Sequence, residues 1–209
     1  MNKNLAFLHT AVALAVLIPV PARLAYGLVI LLCFNFLMLF STLISKLLDV
    51  LSLNNMRPAC LIIALICLTV CFRQLVIFYS PIIGLTLGFV LYLPVIAVLI
   101  VGDCLDNFNT SLKDSLRQNM LEALRFSFYG IVFFLLRDIL GYGTFTLPIP
   151  DGILKLHLPQ FLFSTSSVFW ASIPGGIILV GLFLALMTVV KKKNKIINRS
   201  SDLQEQIDV

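Results

Sequence analysis

LAFLHTAVALAVLIPVPA, residues 5–22, is an apolar run that stops short, because Pro19 and Pro21 close it before it reaches the length of a full membrane crossing. Proline lacks a backbone N–H and its ring crowds the carbonyl four residues earlier, so a regular helix does not continue through it. The interruption recurs in the second half, where IIGLTLGFVLYLPVIAVLIV, residues 82–101, carries Gly84, Gly88 and Pro94. Broken segments at corresponding places in two halves are the mark of an inverted repeat whose discontinuous helices line a pathway near the midplane of a membrane. The pattern predicts discontinuous first and fourth helices, with Pro19 and Pro94 at the breaks, meeting inside the lipid and leaving polar backbone groups there.

Outward from these runs the chain stays apolar. Of its 209 residues 60% are hydrophobic and 12% charged, and the mean hydropathy is +1.04; too little polar surface remains to cover a water-soluble globule. A helix needs roughly 20 apolar residues to cross about 30 Å of hydrocarbon. On that ruler six crossings are predicted: Leu5 to Val20, Leu24 to Ile44, Pro58 to Tyr79, Ile82 to Val101, Ala123 to Leu136 and Val168 to Val190. The expectation is an all-α integral membrane protein of two inverted three-helix repeats over residues 1–190, with a basic tail over 191–209. Barrel strands alternate apolar and polar residues, whereas these runs are continuously apolar, which argues against a transmembrane β-barrel.

The net charge of +5 would raise nucleic-acid binding in a soluble protein. Here it has a simpler cause, since Lys191, Lys192, Lys193, Lys195 and Arg199 directly follow the last crossing, where positive residues hold a terminus in the cytoplasm. With an even number of crossings Lys3, Lys46, Arg57, Lys113, Arg117 and Arg125 also fall inside, and only Arg23, Arg73, Arg137 and Lys155 fall outside or within the membrane. Both termini are therefore expected in the cytoplasm, with no nucleic-acid partner. A signal peptide is the alternative for the N-terminus, with Val20-Pro21-Ala22 as a poor cleavage site and five crossings left after it.

Between the fourth and fifth crossings Leu105, Phe108, Leu112 and Leu116 recur at helical spacing, and Ser111 with Asp114 has the form of a capping box. This reads as a short surface helix, either a connector on the headgroups or a docking face for a soluble partner. Gly141 to Ser167, with Asp151-Gly152 as a turn, is expected to rest on the outer leaflet or cap the bundle.

A charge inside a membrane helix is costly, and those retained face protein, water or a partner charge. Arg73, beside Gln74, can snorkel from its helix end. Arg137 with Asp138 reads either as an interfacial pair or as part of an ion or proton path. Asn35 reads as interhelical glue, and His9 as another interhelical hydrogen bond. His157 is the remaining histidine, too few for a histidine-based metal site. No Ser-His-Asp set, P-loop or dinucleotide fingerprint is present. Cys60, Cys67 and Cys71 share a helical face, with Cys33 and Cys104 elsewhere; one helix cannot encircle a metal, and these read as small packing residues.

Four stretches, taken in order, carry a resemblance: Leu91-Tyr92-Leu93-Pro94-Val95-Ile96, Gly102, Leu136-Arg137-Asp138-Ile139-Leu140-Gly141-Tyr142-Gly143-Thr144 and Ile173-Pro174-Gly175-Gly176. The chain resembles the RnfE/NqrD-type membrane subunits of the Rnf and Na+-translocating NADH:quinone oxidoreductase complexes. The resemblance implies a six-helix subunit of a bacterial cytoplasmic (inner) membrane, made of two inverted repeats and paired in antiparallel fashion with a related subunit. In that family each broken helix brings a cysteine to the pair interface, where an iron-sulfur cluster passes electrons across the membrane. Here Leu14 and Ile100 stand at or beside those places, so cluster ligation does not carry over.

The resulting expectation is a non-catalytic membrane subunit of a redox-driven, ion-translocating electron transport complex. Arg137, Asp138, Gly141, Gly143 and Arg73 are the candidate ion-path residues. The alternative is a six-helix subunit that captures a vitamin for an uptake transporter, for which Ala11, Ala13 and Ala15 would form the docking face of the first helix.

Overall fold

The computed structural model describes residues 12–51, 56–103, 112–150, 152–157, 168–185 and 188. His9, Cys104, the surface segment up to Ser111, Asp151 and the basic tail lie outside them.

The first run is helical over 12–16 and turns over 17–19, just where Pro19 removes a donor. Beyond Pro21 an uninterrupted apolar stretch forms α1, Leu24–Val50, whose 27 residues span about 40 Å at the rise of an α-helix. Next comes α2, Arg57–Tyr79, with Pro58 in its first turn, where a missing N–H costs nothing. The fourth run is divided. It forms α3, Pro81–Leu87, then a 3₁₀ segment, Gly88–Tyr92, then α4, Leu93–Asp103. Gly88 has φ +42°, a conformation that costs any residue with a Cβ, and Pro94 falls in the first turn of α4.

α5, Leu112–Tyr142, is 31 residues long, far beyond the predicted crossing from Ala123 to Leu136. At one end it continues as a polar helix through Lys113, Asp114 and Arg117, which absorbs the Leu112 to Leu116 part of the expected surface helix. At the other it carries Arg137 and Asp138 inside the fold. A hairpin follows, β1, Thr144–Ile149, against antiparallel β2, Gly152–His157, where the sequence suggested only a turn within a loop. The last predicted crossing is also split, into α6, Val168–Ala171, and α7, Ile173–Ala185. Pro174 sits in the first turn of α7, and Ser172 N–H turns back to the Phe169 carbonyl at 3.1 Å.

The described residues are thus mostly helical. Three stretches are long and apolar enough to cross a membrane, Leu24–Val50, Arg57–Tyr79 and Pro81–Val101, with mean hydropathies of 2.4, 2.5 and 2.5; they mark the chain as a membrane protein.

α1 is the central helix, packed against α2, α4, α5 and β1. Its closest partner is α5, and glycine makes the approach possible. A Cβ on Gly27 would lie 2.3 Å from Phe134 Cγ, and one on Gly130 would lie 2.6 Å from a methyl of Leu31. Polar links cross the same seam. Asn35 Nδ2 donates to Ser127 Oγ at 2.5 Å and to the Leu31 carbonyl at 2.7 Å, and Asn119 Nδ2 donates to Thr42 Oγ1 at 2.9 Å. Asn35 is interhelical glue, as its mid-helix position suggested. By contrast α2 is peripheral, burying Arg57, Leu65, Thr69 and Phe72.

Candidate functional site

Neighbouring residues on an α-helix leave its axis about 100° apart. Arg137 and Asp138, in the last turns of α5, therefore reach different neighbours. Arg137 is 1% exposed and Asp138 0%. Among the described residues no ion pair joins them.

Arg137 reaches backbone carbonyls. Its Nη1 donates to Ile18 O at 2.8 Å and Val20 O at 2.9 Å, and its Nη2 to Ala171 O at 3.1 Å and Ser172 O at 3.3 Å. Ile18 lies in the turn at 17–19 and Val20 just beyond it, while Ala171 ends α6 and Ser172 follows it. Carbonyls at helix ends lack intrahelical partners and carry partial negative charge. One guanidinium, a rigid fork of donors that stays charged, gathers both sets.

Asp138 faces the opposite polarity. Its Oδ2 accepts from Leu24 N at 3.2 Å, Thr146 N at 3.0 Å and Thr146 Oγ1 at 2.6 Å, and its Oδ1 accepts from Thr144 Oγ1 at 2.9 Å. Leu24 is the first residue of α1, and Arg23, the residue before it, makes no side-chain cap. Asp138 supplies from a distant helix the anionic cap this N-terminus lacks. Thr146 Oγ1 extends the cap by accepting from Ala25 N at 3.1 Å.

The break between the first run and α1 thus has a carbonyl pole at Ile18 and Val20 and an N–H pole at Leu24 and Ala25. Arg137 fills one and Asp138 the other. An unpaired polar backbone group buried away from water costs on the order of a lost hydrogen bond or more. The pair satisfies the buried carbonyls on one side of the break and the buried N–H groups on the other.

Glycines let the elements close around it. A Cβ on Gly141 would sit 2.9 Å from Ala171 Cβ and 3.1 Å from Ala171 N. One on Gly176 would sit 3.0 Å from Ile18 Cγ2 and 3.3 Å from Arg137 Cζ. Gly143, at φ +61°, ends α5 and donates its N–H to Ile139 O at 3.0 Å.

Of the other expected residues, Pro19 is exposed at the turn and Pro94 buried in α4. Arg73 is half-buried on α2, and no hydrogen bond or ion pair among the described residues ties it to the clamp. Leu14 is 2% exposed and Ile100 half-buried, both apolar. Cys33 is buried in the core, Cys60 half-buried, and Cys67 and Cys71 are exposed on α2. Among the described residues no group of three or more His, Cys, Asp or Glu side chains is placed to hold a metal ion. Ala13 is fully buried and Ala15 half-buried, so those two are largely used inside the fold; Ala11 lies outside the described residues.

The sequence reading did not single out Thr146 or the carbonyls of Ile18, Val20, Ala171 and Ser172. For Thr146 a signal existed, the period-two Thr-Phe-Thr-Leu of residues 144–147. Carbonyl acceptors carry no side-chain signature. No family model and no curated protein matches the chain.

Proposed function

We propose that the chain is a membrane subunit of a redox-driven, ion-translocating electron transport complex of the Rnf/Nqr type. In this reading it has six crossings in two inverted repeats, sits in a bacterial cytoplasmic membrane with both termini inside, and pairs with a related antiparallel subunit. It has no catalysis of its own; it shapes ion passage and subunit contacts. One observation carries the reading. The segment with the most specific resemblance, Leu136 to Thr144, is the same segment that supplies Arg137, Asp138, Gly141, Gly143 and Thr144 to the clamp around the first break. Interrupted helices held by internal charges are the apparatus by which many transporters build a pathway near the midplane. Leu14 and Ile100 give no thiolate, so no iron-sulfur cluster is assigned to the chain.

Purification of the tagged chain from native membranes tests this. The expected result is co-purification with flavin- and iron-sulfur-bearing partners, and loss of electron-donor-driven ion uptake into vesicles when the chain is deleted. A chain that purifies without redox partners, with donor-driven ion uptake unchanged by its deletion, contradicts it.

A further inference from the structure

Four neutral oxygens converge on one buried positive charge. The carbonyls of Ile18, Val20, Ala171 and Ser172 stand 2.8–3.3 Å from the Arg137 nitrogens. The nearest carboxylate in sequence, Asp138, is committed to the N-terminus of α1 and to two threonines. Among the described residues the charge on Arg137 is therefore met by carbonyl dipoles, at the ends of two interrupted helical segments, and by the face of the Phe133 ring 6.0 Å away, with no carboxylate paired to it. Unwound carbonyls and half-helix C-termini are the ligands that hold alkali cations inside membrane proteins.

We propose that these four carbonyls form a monovalent-cation site that the protein keeps filled with its own guanidinium. Arg137 is a tethered cation. The cage fits a flat group, since Gly176 packs so closely that a Cβ there would crowd Ile18 Cγ2 at 3.0 Å and Arg137 Cζ at 3.3 Å, while four of the five guanidinium donors are used and Nε has no partner among the described residues. With its occupant covalently attached, the cage does not exchange ions, and the first and last runs stay joined whatever the ionic medium. Cutting the side chain away should convert a closed site into an open one. The inference does not depend on the redox reading.

The test uses the full-length protein in lipid nanodiscs, melted in choline chloride and then with guanidinium, sodium or potassium chloride at the same ionic strength. The wild type should melt at one temperature in all four salts. Arg137→Gly should melt lower by roughly 5–10 °C, and millimolar guanidinium should restore at least half of that loss, with an alkali cation restoring a smaller part. Arg137→Gln, which fills the cage without charge, should melt lower and respond to no cation. An Arg137→Gly protein that melts like wild type, or that responds to guanidinium and the alkali cations no more than to choline, overturns the proposal. Should Arg137→Gly not accumulate, Arg137→Lys and Arg137→Met decide: the lysine variant should be the more stable, and equal stability overturns the cation site.

Discussion

Asp138 takes four donors on two oxygens, and three substitutions probe that set. Asparagine keeps one carbonyl oxygen, which can take the Oδ2 position, while its amide nitrogen can donate to the Thr144 hydroxyl. Asp138→Asn then loses the charge at the α1 N-terminus and little else, a cost of about 1–2 kcal/mol. Asp138→Leu leaves buried donors without an acceptor and should cost about 3 kcal/mol or more. Thr146→Val removes the hydroxyl that links Ala25 N to Asp138, at about 1–2 kcal/mol. Thermal unfolding in detergent orders the three, and Asp138→Leu matching Asp138→Asn would contradict the capping role. At this scale the sequence was half legible. That Arg137 and Asp138 matter could be read from the cost of charge among apolar residues. Their roles could not, because their partners are main-chain groups that any residue supplies, and adjacency in sequence suggested a pair where the helix turns them apart.

Among the elements, α1 and α5 depend on two glycines. Gly27→Ala would put a methyl into the Phe134 ring and push the helices apart, at about 1–3 kcal/mol. Gly181, in α7, has open space at its Cβ position, so Gly181→Ala should stabilise by about 0.5–1 kcal/mol through helix propensity alone. Opposite signs for the two in one unfolding assay support the packing described here, and a destabilised Gly181→Ala does not. The Pro19 and Gly88 to Pro94 interruptions were legible, because proline and glycine act on the backbone directly. The hairpin was hidden by Pro148 within β1, which argues against a strand although an edge position tolerates it. The length of α5 was hidden because hydropathy sees hydrocarbon and not helix: Lys113 to Glu122 is polar yet helical. The split of the last predicted crossing at Ser172 had a signal in Pro174, but a proline in a first turn also begins a helix, which it does for α7.

On the scale of the whole molecule, the clamp joins parts far apart in the chain: residues 18–25, the end of α5, the hairpin and the end of α6. A membrane protein has little hydrophobic drive between its helices, so close packing and satisfied polar groups decide which elements stay together. Composition alone made the membrane class legible; the long-range joining was not, because it runs through side chain to main-chain bonds over more than a hundred residues of separation. The most direct test exchanges the two charges, comparing Arg137→Asp, Asp138→Arg and the double swap by melting temperature in nanodiscs. If each charge serves its own helix pole, the double swap puts the wrong sign at both and should melt no higher than the worse single variant. A double swap that recovers most of the wild-type melting temperature would mean that the two side chains pair with each other, and the clamp would be wrong.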